Sequence, residues 1–166
     1  SGLDNFCGNT YHTGNWPHEK VDFSGERIAV IGVGSSGIQS IPVLAEQADH
    51  LTVFQRTPNY SIPSQNELMT QEYEKSWKKD YASLRKQMRY TAHGSLKDLN
   101  DKSALSVSAE ERQNTYTDRW NIGGAGYLGA FNDLLIRLEA NDTASEFVRQ
   151  KIRDIVKDPA TAEKLT

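Results

Sequence analysis

The chain has 166 residues, a single cysteine, and 19 Lys and Arg against 22 Asp and Glu, for a formal net charge of −3. This length suffices for one domain with a real core, and the absence of basic runs argues against a nucleic-acid partner. Cys7 alone excludes an internal disulfide and reads as a buried or incidental thiol, and no Cys/His group has metal-ligand spacing. No apolar run approaches the roughly 20 residues of a membrane span, and the first residues have neither the basic nor the apolar region of a signal peptide, so a soluble, cytoplasmic protein is the expectation.

In chain order, Phe6, Gly8, His12, Trp16 and Pro17 come first, arranged as FxGxxxHxxxWP. Taken by itself, this is an aromatic loop in which Phe6 and Trp16 pack and His12 bonds a backbone carbonyl. Arg27 to Ile31 (RIAVI) is a β-branched apolar run, as a parallel strand buried on both faces requires. Gly32, Gly34 and Gly37 follow it in GVGSSG. Ile38, Ile41, Leu44, Ala45 and Ala48 then have helical spacing, with Pro42 in about the first turn, where its missing N–H costs least. Leu51 to Gln55 (LTVFQ) completes a βαβ unit.

A glycine motif between a buried strand and a helix is the signature of a dinucleotide site. Gly32 permits the tight turn, Gly34 lets the backbone approach a pyrophosphate, and Gly37 allows close helix packing. Ser35 and Ser36 add hydroxyl donors beside the free N–H groups of the helix start. An NAD site presents an acidic residue to the ribose roughly 20 residues after the glycines. Here Arg56 stands 24 residues after Gly32. A guanidinium suits a 2′-phosphate and has no use for a neutral hydroxyl, and Thr57 adds a donor, so NADPH is favoured over NADH.

Beyond Pro63 no strand is expected. Tyr73, Trp77, Tyr81, Leu84 and Met88 draw one stripe down a helix from about Thr70 to Thr91, which reads as a packed face. Ser108 and Glu111 form a capping box for a helix ending near Asn121, and Gly123, Gly124 and Gly126 make a turn. Phe131, Leu134, Leu135 and Leu138 mark another helix. Thr143 and Glu146 read as a second capping box, before a helix with Phe147, Val148, Ile152 and Ile155 inward. Asp158-Pro159 starts a tail helix. His18, His50 and His93 are isolated and read as surface or packing residues. Two parallel strands do not make a stable sheet, so further strands are expected from elsewhere. The start at Ser1 and the polar helical end are read the same way, as a fragment of a longer polypeptide.

The string FCGNTYHTGNWP resembles the fingerprint of the Baeyer-Villiger monooxygenases, and VIGVGSSGIQSIP and LTVFQRTPNYSIP look like their nicotinamide segments. The resemblance is strongest from Phe6 to Pro63, and DRWNIGGAGY is similar to part of a helical insertion in these enzymes. Val33 departs from the small hydroxyl residue common at its position, which leaves the backbone cradle intact. The resemblance implies an α/β fold: residues 1–26 as an interdomain linker, 27–63 as a Rossmann-like NADP-binding βαβ unit of a doubly wound sheet, and 64–166 as a helical insertion. It adds Gln39 as a cofactor contact, and gives His12 a conformational role, with Phe6, Gly8, Trp16 and Pro17 shaping the linker.

What the resemblance implies about chemistry is that NADPH reduces FAD, reduced flavin activates O2, and a ketone becomes an ester or lactone. FAD would be bound mainly outside these residues, catalytic residues are expected in none of them, and the remainder of the polypeptide is the expected partner. The alternatives are a flavin-containing N- or S-oxygenase, against which Trp16-Pro17 argues, and a non-catalytic NADPH-binding module.

Overall fold

The chain folds, in a computed structural model that describes residues 2–91, 94–96 and 99–166, into two compact units, Ser1–Ser61 and Ile62–Thr166. His93 lies outside the described residues.

The first unit carries β1 (Arg27–Ile31), α1 (Ser35–Gln47) and β2 (His50–Phe54), with the strands parallel and in register from Arg27 opposite His50 to Ile31 opposite Phe54. A tight turn launches β1. The Phe23 carbonyl accepts the Glu26 N–H at 3.2 Å, and Gly25 supplies the positive φ of +74° that the turn needs. Asp22 Oδ1 accepts both the hydroxyl and the N–H of Ser24, at 2.7 and 3.0 Å, which holds its carboxyl below the usual range.

Helix α1 packs against both strands. Ile28, Val30 and Leu51 of the strands and Ile41, Leu44 and Ala48 around the helix are half-buried, whereas Ile31 and Phe54 are 88% and 56% exposed. The expectation of a strand buried on both faces is therefore corrected: only the alternate residues beneath the helix are even partly covered. Pro42 is corrected as well. The helix begins at Ser35, so Pro42 lies well inside it and leaves the Ile38 carbonyl without its i+4 donor.

The second unit is α-helical, and no strand occurs among its described residues. It comprises α2 (Gln71–Lys79), α3 (Tyr81–Met88), α4 (Ala109–Ile122), a 3₁₀ segment (Gly124–Gly129), α5 (Leu138–Ile155) and α6 (Pro159–Leu165). Side chains of Thr70, Ser108 and Asp158 cap α2, α4 and α6 by accepting N–H groups three residues on, at 3.1, 3.1 and 2.7 Å.

Three helical expectations are corrected. The stripe from Thr70 to Thr91 is two helices, broken where Asp80 leaves helical geometry at φ −127°, ψ 25°. Tyr73 and Tyr81 remain exposed, so packing does not compel continuity across a poor helix former. Phe131 and Leu134 are buried in a series of turns, with Leu135 and Leu138 exposed. The supposed cap Thr143 is inside α5, its hydroxyl on the Ala140 carbonyl (2.7 Å) and on the Tyr116 hydroxyl (2.7 Å), and Ile155 points out at 64% exposure.

The core of this unit is aromatic. Tyr116 meets Phe131 edge-on at 5.4 Å and Phe147 at 5.6 Å, and Trp120 meets Phe147 at 6.1 Å. Tyr127 donates its hydroxyl to the Ala144 carbonyl at 3.1 Å, and burial pushes its phenol well up. Asp133 is buried and polar. Its carboxylate accepts the Ser103 hydroxyl at 2.5 Å and the Ala104 N–H at 2.9 Å, tying residues 103–104 to the turns before α5. Burial opposes its charge, but these hydrogen bonds prevail and hold the carboxyl below the usual range.

Asp133→Ala leaves the buried Ala104 N–H unpaired and is expected to cost about 1–3 kcal/mol in urea unfolding. Because the folded pKa is depressed, this stabilisation is complete above the ordinary aspartate value near 3.9 and is lost as pH falls through the lower folded value. The difference between wild type and Asp133→Ala should therefore narrow in acid, as measured by unfolding at stepped pH.

Candidate functional site

Where β1 ends, the chain must turn at once to enter α1. Gly32 does this at φ +102°, and its N–H donates to the Phe54 carbonyl at 2.9 Å, closing the loop onto the end of β2. A Cβ on Gly37 would collide with the Gly32 carbonyl oxygen. Gly34, the residue ahead of the helix, has φ −69° and nothing within 4 Å of where a Cβ would stand. Its bareness therefore serves neither backbone strain nor internal packing and leaves space above the loop. No side chain caps α1. The first N–H groups of the helix thus have no intrahelical partner, and they carry the positive end of its dipole.

A groove beside this loop is lined by Ile31, Gly32, Val33, Gly34, Phe54, Arg56, Thr57 and Asn59. Two stretches separated by a whole helix thus meet: the glycine turn after β1 and the polar turn after β2. Arg56 and Thr57, singled out in the sequence, belong to it. Asn59, Ile31 and Phe54 were not foreseen, and their one signal was position, immediately beside the glycine turn or the arginine. Ser35, Ser36, Gly37 and Gln39 do not line the groove. The Gln39 amide instead donates to the Ser35 carbonyl at 2.8 Å, along the first turn of α1.

The aromatic motif forms its own substructure. Phe6 is exposed, and its ring lies over Gly8, where a Cβ would strike it. Trp16 packs with Tyr11 (5.5 Å) and Phe23 (6.1 Å), not with Phe6. His12 does not bond a carbonyl: its Nδ1 accepts the Gly14 N–H at 3.1 Å, while its own carbonyl accepts the Asn15 N–H at 2.8 Å. The imidazole thus closes the short turn that precedes Trp16 and Pro17. Cys7 is exposed, and His18 and His50 lie at the surface.

Strand, glycine turn, helix and parallel strand in this order define a Rossmann-like unit, here followed by helices. No protein-family model matches the chain. It is 41% identical over 170 residues to a cyclohexanone 1,2-monooxygenase of an Acinetobacter species and 39% identical over 166 residues to the phenazine N-monooxygenase PhzNO1 of Lysobacter antibioticus, covering 99% of this chain and 30% of each relative. An oxidized steroid monooxygenase bound to NADP superposes on 99% of this chain and 32% of its own, with a TM-score of 0.90 at 51% identity. A closed cyclohexanone monooxygenase does so with a TM-score of 0.91 at 40% identity, over 31% of its length. The chain is thus related to the Baeyer-Villiger monooxygenases, and it spans about three tenths of the length of the curated relatives it matches.

Replacing Gly37 by alanine sets a Cβ against backbone that cannot rotate away, and should cost about 1–3 kcal/mol of stability. Gly34→Ala meets no neighbour at an ordinary φ and should stay within about 0.5 kcal/mol of wild type. Thermal unfolding of the two variants in the complete polypeptide separates these outcomes.

Proposed function

We propose that this chain is the NADP(H)-binding segment of a flavin-dependent monooxygenase that converts ketones to esters or lactones. The observation that carries the reading is the groove itself, which joins a glycine turn at a helix start to an arginine and a threonine beyond the next strand. The residues suit NADP(H). Gly34 leaves room for a pyrophosphate to reach backbone N–H groups, and the Arg56 guanidinium matches a 2′-phosphate in charge and in its fork of donors. Thr57 and Asn59 offer polar contacts beside it, and Ile31, Val33 and Phe54 give the groove apolar walls.

When bound, NADPH supplies the hydride and FAD carries the oxygen chemistry, as cofactors do in such enzymes. The residues of this chain bind and orient; none of them is assigned a proton transfer. In this reading Ser35, Ser36 and the N–H groups around Gly37 hold phosphate oxygens, and Gln39 steadies that turn through the Ser35 carbonyl. His12, with Phe6, Gly8, Trp16 and Pro17, shapes a linker whose turn depends on the imidazole accepting the Gly14 N–H. The uncovered sheet face at Ile31 and Phe54 suits cover by the remainder of a longer polypeptide, which would also supply the FAD site and the ketone and O2 pocket. The helices from Gln71 onward form an insertion within that polypeptide.

N-oxygenation is a second reading, because one relative at 39% identity is a phenazine N-monooxygenase. Product analysis decides between them. The complete polypeptide, given FAD, NADPH and a panel of ketones, amines and sulfides, should yield esters or lactones one oxygen heavier than the ketone. N- or S-oxides alone would transfer it to the second reading. NADPH oxidation without oxygenated product would leave only a binding module.

Arg56→Ala is expected to weaken NADP⁺ binding about tenfold to a hundredfold, the range for losing a hydrogen bond to a charged group, while NAD⁺ binding hardly changes. Titration calorimetry with both nucleotides checks this, and an unchanged preference for NADP⁺ would remove Arg56 from the role.

A further inference from the structure

The His12 turn is built onto the βαβ unit through three aromatic rings. Tyr11 and Trp16 stand on either side of residues 12–15, where His12 and Asn15 bridge and the Gly14 and Asn15 N–H groups both bond back to His12. Their rings meet at 5.5 Å, and both reach Phe23, Tyr11 edge-on at 5.7 Å and Trp16 at 6.1 Å. Such pairs attract beyond the area they bury. Tyr11 and Trp16 remain 41% exposed, so no enclosing core replaces these ring contacts. Phe23 in turn is fixed to the sheet. Its carbonyl accepts the Glu26 N–H at 3.2 Å, and the Glu26 carbonyl accepts the N–H groups of Asp49 and His50, at 2.9 and 3.4 Å, where β2 begins.

We infer that Tyr11 and Phe23 are positioning residues of the aromatic motif, holding the His12 turn and Trp16 to the amino end of the two strands whose carboxyl ends carry the groove. The proposal rests on the reading of that groove as an NADP(H) site and of His12 as conformational. Neither residue is one of the fixed positions of FxGxxxHxxxWP. The length of β1, roughly 15 Å, separates Phe23 from the glycine turn, so the rings act on the His12 turn and not on the nucleotide. A turn closed by two hydrogen bonds opens readily when nothing else holds it. Tied through three rings to the start of both strands, the imidazole keeps a defined place on the βαβ unit, and any movement of that unit against the remainder of the polypeptide carries His12 with it.

The test compares wild type, Tyr11→Leu, Phe23→Leu, Phe23→Tyr, His12→Ala and the double variant Phe23→Leu/His12→Ala in the complete polypeptide. Hydrogen exchange of residues 11–17, NADP⁺ affinity and turnover of the best substrate of the panel are measured for each. The leucine variants keep apolar bulk and lose a ring. They are expected to exchange the Gly14 and Asn15 N–H groups about tenfold faster and to turn over severalfold more slowly, with NADP⁺ affinity and exchange in β1 at wild-type values. Phe23→Tyr, which keeps the ring, restores both readouts. Because the rings act through His12, the double variant should be no slower than His12→Ala alone. Wild-type exchange of the turn in the leucine variants, or a double-variant loss equal to the product of the single losses, would overturn the proposal. So would faster exchange in β1 together with weaker NADP⁺ binding, which would make Phe23 a general stabiliser of the unit. Loss of NADP⁺ binding in Arg56→Ala would leave the groove reading standing in each of these cases, whereas a wild type that does not bind NADP⁺ would sink both.

Discussion

The first unit depends on the approach of α1 to the glycine turn, which is possible only because Gly37 has no Cβ. The Gly32 carbonyl oxygen occupies the space a side chain would take. Any other residue at 37 would push the helix away from the turn and carry its uncapped N-terminus away from the groove. The positive φ of Gly32 turns the chain, and the tie to the Phe54 carbonyl fixes where the turn sits against β2. From these constraints follows the meeting of Gly34 and Arg56 beside one groove, although a helix and a strand separate them in sequence.

Much of this was legible because local chemistry and tertiary structure agree there. The run 27–31 is the observed strand, and GVGSSG makes the observed turn and the first residues of α1, since only glycine accommodates the positive φ at 32 and the close approach of the Gly32 carbonyl at 37. The Ser108 cap was legible for the same reason: its hydroxyl has a free N–H to accept and no better partner. Thr143 has the same local pattern and a different fate, because the Ala140 carbonyl and the buried Tyr116 hydroxyl take its oxygen. A capping box is a local motif, and it misleads wherever a helix has already begun upstream.

The remaining misreadings have the same source. Phe131 and Leu134 have helical spacing, yet they are buried from a turn whose backbone is tied to residues 102–104 through Asn132 and Asp133. Spacing records which residues face inward and does not record the backbone that presents them. In the groove, Arg56 and Thr57 were legible from chemistry and position, but Asn59 was not, because its place depends on how the chain folds after Pro58. Gln39 shows the converse, with an amide engaged on the Ser35 carbonyl instead of lining the groove.

The two units differ in how much of their stability is their own. The helical unit buries Tyr116, Phe131 and Leu134 almost completely, and among its described residues no buried side-chain polar atom lacks a partner. The βαβ unit has no residue in the buried class among those described, and Ile31 and Phe54 lie on an open sheet face. A unit with so little buried apolar surface gains proportionally more from whatever binds only its folded form, since such binding adds directly to stability by mass action. On the proposed reading that contribution comes from the nucleotide and from the rest of the polypeptide. The glycine turn and the arginine then serve order as well as recognition, because the geometry that a bound dinucleotide would require is also the geometry it would hold in place.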